Sequence, residues 1–124
     1  LSDWLIVREF CLILYHMKMI IALGSNLHQE QNLLKAKELL GHSFDGITFS
    51  EPEWTEPIGI KSDRFLNCIG TFEAELSRTA VEKILKRTEQ AMGDSHQNHQ
   101  LGKVLIDIDL IQYGNETIRK IAWL

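Results

Sequence analysis

The residues best suited to chemistry are two carboxylates, Asp107 and Asp109, in the segment Val104-Leu105-Ile106-Asp107-Ile108-Asp109-Leu110-Ile111. The alternation around them is that of a β-strand. Ile106, Ile108 and Leu110 then share one face, and the two aspartates share the other, about 7 Å apart along the strand. Two like charges on one face repel, and Leu105 and Ile111 beside them are apolar. A divalent cation offsets that repulsion. Magnesium takes hard oxygen ligands, typically one or two carboxylates together with phosphate oxygens and water. The other reading is a solvated outer face that tolerates two acids. Spacing alone leaves both open. His96 and His99 raise a transition-metal alternative, but no cysteine or third ligand accompanies them, and a polar loop is the ordinary explanation.

The elements that must position this pair follow from periodicity. Met19 to Leu23 is a short apolar run ending in Gly24-Ser25-Asn26, a buried strand and then a turn. Residues 30–40 suit a helix with Leu33, Ala36 and Leu40 on one face and Gly41 as its stop. Phe44 to Phe49 reads as a strand, followed by a loop holding Pro52 and Pro57. Phe65 to Leu76 is the longest strand candidate, with Phe65, Asn67, Ile69 and Thr71 on one side and Leu66, Cys68, Gly70 and Phe72 on the more apolar side. Thr79 and Glu82 fit a capping box for a second helix, whose stripe is Val81, Ile84, Leu85, Thr88 and Met92 and whose stop is Gly93. A polar loop, Asp94 to Gly102, leads to a last strand from Lys103 to Tyr113. The order βαββαβ is that of the ferredoxin-like α+β fold, an antiparallel sheet with two helices on one face. This fold serves many activities, so function must be argued from the site.

Bulk properties narrow the class. The 124 residues suit one domain, and a net charge of −4 argues against a nucleic-acid surface. Cys11 and Cys68 are too few for a disulfide framework and read as reduced thiols in a cytoplasmic protein. The apolar run from Trp4 to Tyr15 is interrupted by Arg8 and Glu9 and lacks a cleavage site. Its apolar stretches fall well short of the roughly 18 residues of a membrane helix. Residues 1–16 are therefore read as an N-terminal extension that docks on a second copy in a homodimer, and residues 17–124 as the functional domain, with no membrane partner.

Four segments resemble the 6-hydroxymethyl-7,8-dihydropterin pyrophosphokinase family. They are Ala22-Leu23-Gly24-Ser25-Asn26, the stretch from Ser50 through Thr55-Glu56-Pro57-Ile58-Gly59, Phe65-Leu66-Asn67-Cys68, and Glu89 to Gly93 followed by Ile106-Asp107-Ile108-Asp109-Leu110. Together they span most of residues 19–114. The resemblance implies Mg2+-dependent transfer of pyrophosphate from ATP to 6-hydroxymethyl-7,8-dihydropterin in folate synthesis, giving AMP. It implies that Asp107 and Asp109 hold two magnesium ions bridging the triphosphate. Asn67 would hydrogen-bond the pterin, Phe65 would stack near its ring, and Thr55 and the backbone around Ile58 would complete the pterin edge.

The sequence departs from the family at defined places. Asp94 and Val104 stand where the family has arginines, residues that clamp phosphate and steady transition-state charge. The family's later Pro-His and Arg-Phe motifs have no counterpart up to Leu124. Lys103 is the nearest substitute for phosphate contact, with His96, His99, Arg119 and Lys120 as further ones, although a lysine does not reproduce a bidentate arginine. These departures carry two alternatives: an impaired homologue that binds pterin or nucleotide, and a non-enzymatic assembly module. Ser25 and Asn26 are read as turn or cap residues, and Trp54 and Trp123 as packing or surface residues.

Overall fold

Alternating apolar side chains draw the first strand, β1 (His16–Ser25), into the middle of the sheet, where Met19 and Ile21 are fully buried. The computed structural model describes residues 16–59, 61–121 and 123. The expected docking arm therefore lies outside the described residues, except for His16. After β1 come α1 (Gln29–Ser43), β2 (Thr48–Phe49), β3 (Glu53–Thr55), β4 (Phe65–Glu75), α2 (Arg78–Ala91), the short α3 (His96–Gln100), β5 (Asp107–Tyr113) and β6 (Glu116–Thr117). The sheet order is β2-β4-β1-β5-β6, with β3 also paired to β4, and all pairings are antiparallel. Leu33, Ala36 and Leu40 of α1 and Val81 and Leu85 of α2 meet Ile21, Leu23, Cys68, Phe72, Ile108 and Leu110 in one core. Both helices thus cover one face, the arrangement expected for a ferredoxin-like α+β fold. Among the described residues, no helix is long and apolar enough to cross a membrane.

Several local expectations change. The first helix does not stop at Gly41 but continues to Ser43, because Phe44 beyond it is buried and stacks on Phe72 with ring centroids 4.0 Å apart. A helical glycine costs about 1 kcal/mol, less than burying a phenylalanine returns. The strand expected from Phe44 shrinks accordingly to Thr48–Phe49. The loop between the prolines holds β3, a short strand at the sheet edge. The second helix begins at Arg78, so its cap is Ser77 rather than Thr79. The Ser77 hydroxyl accepts from the Ala80 N–H at 3.2 Å, and Glu82 pairs with Arg78 instead of closing a capping box. Gly93 does end this helix, in the left-handed region at φ 87°. The polar loop contains α3, and β5 begins only at Asp107.

Cys68 lies under both helices with no exposure. Burial pushes its thiol up to about 11, so it stays protonated and unreactive at neutral pH.

Candidate active site

The face of the sheet turned away from the helices carries the polar residues. In the middle of that face β1 offers only Gly24 and Ala22. Gly24 stands between Asn67 of β4 and Asp107 of β5, and Ala22 stands between Ile69 and Asp109. Two small residues between flanking larger ones leave a hollow. Strand spacing puts the backbones of Asn67 and Asp107 about 10 Å apart across it.

A cavity of about 390 Å³ fills this hollow, lined by Thr55, Ile58, Phe65 and Asn67 on one side and Asp107 and Asp109 on the other. Segments around Ala22, Thr55, Phe65, Asp107 and Arg119 thereby meet at one hollow. Asn67 is 4% exposed, and its Nδ2 donates to Thr55 Oγ1 at 2.5 Å. Phe65 is half-buried beside them, and Ile58 is 71% exposed at the rim. Trp123, read as a packing or surface residue, also lines this cavity, whereas Trp54 is exposed with the Arg64 guanidinium 5.0 Å over its ring.

A second cavity of about 580 Å³ lies on the α2 side and is lined by Arg78, Lys86, Glu89, His99 and Arg119. Asp107 and Asp109 line it too, so the two cavities meet at the aspartate pair. Lys103 does not join them: it is exposed and lines neither cavity.

The aspartates are held in place by the ends of their strand. Asn26 is 4% exposed; its Oδ1 accepts from the Val104 N–H at 2.6 Å, and its Nδ2 donates to Gly102 O at 2.8 Å. This residue therefore pins the approach to β5 from across the fold, a long-range contact that the turn or cap reading did not include. Glu89 was not singled out by its sequence position. It is 7% exposed, and its Oε2 accepts from the Ile108 N–H at 2.8 Å, on the part of β5 that the short pairing with β6 at Gln112 and Tyr113 does not reach. The available signal was an acid continuing the buried stripe of α2, beside Thr88.

Electrostatics mark the cluster. Burial, then Asp107, pushes the Asp109 carboxyl up to about 6. Burial, then Glu89, raises Asp107, and burial is also the main cause of the rise at Glu89. The two aspartates act on each other electrostatically, and both side chains line both cavities. Arg119 offsets part of this charge, with Nη1 2.9 Å from Asp109 Oδ2. Among the described residues no group of three or more His, Cys, Asp or Glu is arranged to hold a metal alone. Two carboxylates at an open cavity nevertheless fit a magnesium ion that completes its shell with phosphate and water.

A family model described as 7,8-dihydro-6-hydroxymethylpterin-pyrophosphokinase (HPPK) matches residues 20–122. The chain belongs to this family. No curated protein matches it. Members of the HPPK family are pyrophosphokinases of folate synthesis that use ATP and magnesium. The matched range contains all the residues of both cavities except Trp123.

Asp94, next to Gly93, points inward: its side chain is 5% exposed, and Oδ1 accepts from the N–H groups of Leu105 and Ile106 at 3.1 and 3.3 Å. Its Oδ2 lies 2.7 Å from His99 Nε2. Asp94 is thus a staple between the end of α2 and the start of β5, and it lines neither cavity. Val104 is 7% exposed, and its side chain lines neither cavity.

Proposed function

We propose that this chain transfers the terminal pyrophosphate of ATP to the hydroxymethyl group of 6-hydroxymethyl-7,8-dihydropterin, releasing AMP. The observation that carries this reading is that Asp107 and Asp109 line both cavities. Two ligands lying side by side would present their reacting ends to that pair. The smaller cavity suits the pterin. Asn67 offers amide groups to a heterocycle edge, and Thr55 fixes that amide. Phe65 offers a ring face, and Ile58 covers the rim. The larger cavity suits ATP, because Lys86 and Arg119 line it together with the aspartates.

Asp107 and Asp109 would hold magnesium, two ions with ATP, which supplies neutralisation of the triphosphate charge. The chain's own residues orient the two substrates. The pterin hydroxyl oxygen bonds to the β-phosphorus, the bond from that phosphorus to the α–β bridging oxygen breaks, and AMP leaves with the bridging oxygen. The hydroxyl proton goes to water.

A coupled assay for AMP with ATP, Mg2+ and the hydroxymethyl pterin tests the reading. Turnover that falls by roughly two to three orders of magnitude in Asp107→Ala and in Asp109→Ala supports it. Pterin binding without turnover in the wild type would replace it with the impaired homologue, to which Asp94 and Val104 point. Absence of any ligand binding would leave the assembly module.

A further inference from the structure

Arg119 is, among the described residues, the cationic one that lines both cavities, and it pairs with Asp109 at 2.9 Å. Its backbone is anchored: the N–H groups of Ile118 and Arg119 donate to Ile111 O at 2.9 and 3.3 Å. Its side chain is 61% exposed. The guanidinium therefore projects from a fixed base beside β5, and a water-screened ion pair holds it only weakly. Lys86 and Arg78 line the larger cavity alone, where Lys86 faces Glu89 at 3.7 Å and Arg78 pairs with Glu82 and Glu116; Lys120 lines the smaller cavity alone. Asp94 and Val104 present no cation to either cavity, so a phosphate chain lying along the aspartates must find its guanidinium elsewhere.

We propose that Arg119 has two stations: it neutralises Asp109 while no cation is bound, and it moves to the phosphate chain once magnesium takes that carboxylate. This rests on the pyrophosphokinase reading above. The arriving cation competes with the guanidinium for Asp109 Oδ2. The displaced guanidinium then stands at the junction of the cavities, beside the polyanion that came with the cation. Its planar fork matches phosphate oxygens in a bidentate way that a lysine ammonium does not. Arg119 is in this account a phosphate-binding residue supplied from the segment after β6.

The two stations predict opposed effects of a single substitution, measured by calorimetric titration of Mg2+ alone and of α,β-methylene-ATP at saturating Mg2+. Arg119→Ala should bind Mg2+ alone about two- to fivefold more tightly, because the competitor is gone. It should bind the analogue about tenfold or more weakly, because a charged hydrogen bond is lost. Arg119→Lys should restore the wild-type Mg2+ affinity and only part of the analogue affinity. Unchanged melting temperatures check that the fold is intact. Any pattern without the opposed shifts overturns the proposal. If Asp109→Asn abolishes Mg2+-dependent analogue binding while Arg119→Ala shifts nothing, the pyrophosphokinase reading stands and the Arg119 proposal falls. A wild type that does not bind the analogue overturns both.

Discussion

Gly24 and Asn67 face each other across the β1–β4 ladder so closely that a β-carbon on Gly24 would lie 2.5 Å from Asn67 Oδ1. The glycine is therefore part of the Asn67 site. Gly24→Ala should push the amide away from Thr55 at a cost of about 1–3 kcal/mol of stability. Pterin affinity should fall by about tenfold or more, the loss of a well-placed polar contact. Thermal melts together with a pterin titration measure both, and a substitution that left pterin affinity intact would remove Asn67 from the pterin site.

The raised carboxyls predict how stability varies with pH. Asp109 is held at about 6 and Asp107 is shifted the same way, both first by burial. Between the ordinary aspartate range and about 6, the folded chain binds more protons than the unfolded chain. Stability therefore falls as pH rises through that window, and the penalty is fully present above it. In chelator, Asp109→Asn should melt higher than the wild type at pH 7.5, with the gap closing toward pH 4. Mg2+ should raise the wild-type melting temperature at pH 7.5 and raise that of Asp109→Asn much less.

Glu89 acts on β5 through one hydrogen bond, from the Ile108 N–H to Oε2 at 2.8 Å. Glu89→Ala leaves that N–H without its acceptor and should cost about 1–3 kcal/mol. Glu89→Gln keeps an acceptor and should lose much less. Denaturant midpoints of the two variants provide the comparison; equal losses would mean that the charge matters rather than the bond.

Restoring the family's arginine at position 94 should harm this chain. Asp94 accepts from the N–H groups of Leu105 and Ile106, and an arginine accepts from neither. Asp94→Arg should destabilise by roughly 2–5 kcal/mol, from two unmet donors and a side chain too long for a buried site. AMP release should fall along with the melting temperature. A gain in turnover at unchanged stability would contradict the staple.

What the sequence determined is what depends on neighbours along the chain. A period of two placed Asp107 and Asp109 on one face, and helical periods placed Leu33, Ala36 and Leu40 and then Val81 and Leu85 toward a core. Those periods, in that order, were enough for the ferredoxin-like fold, and the four resembling segments were enough for the family. Pairings between distant residues came only with the tertiary structure. Whether Gly24 sits between Asn67 and Asp107 depends on strand register, which no local pattern specifies. Whether Glu89 and Asp94 face solvent or backbone depends on where α2 ends against β5. That Arg119 returns to Asp109 depends on the turn after β5 and the anchoring of residues 118–119 on Ile111. The aspartate pair was legible because alternation is local; the small-residue hollow, the buried glutamate and the returning arginine were not, because each is fixed by contacts between elements far apart in the chain.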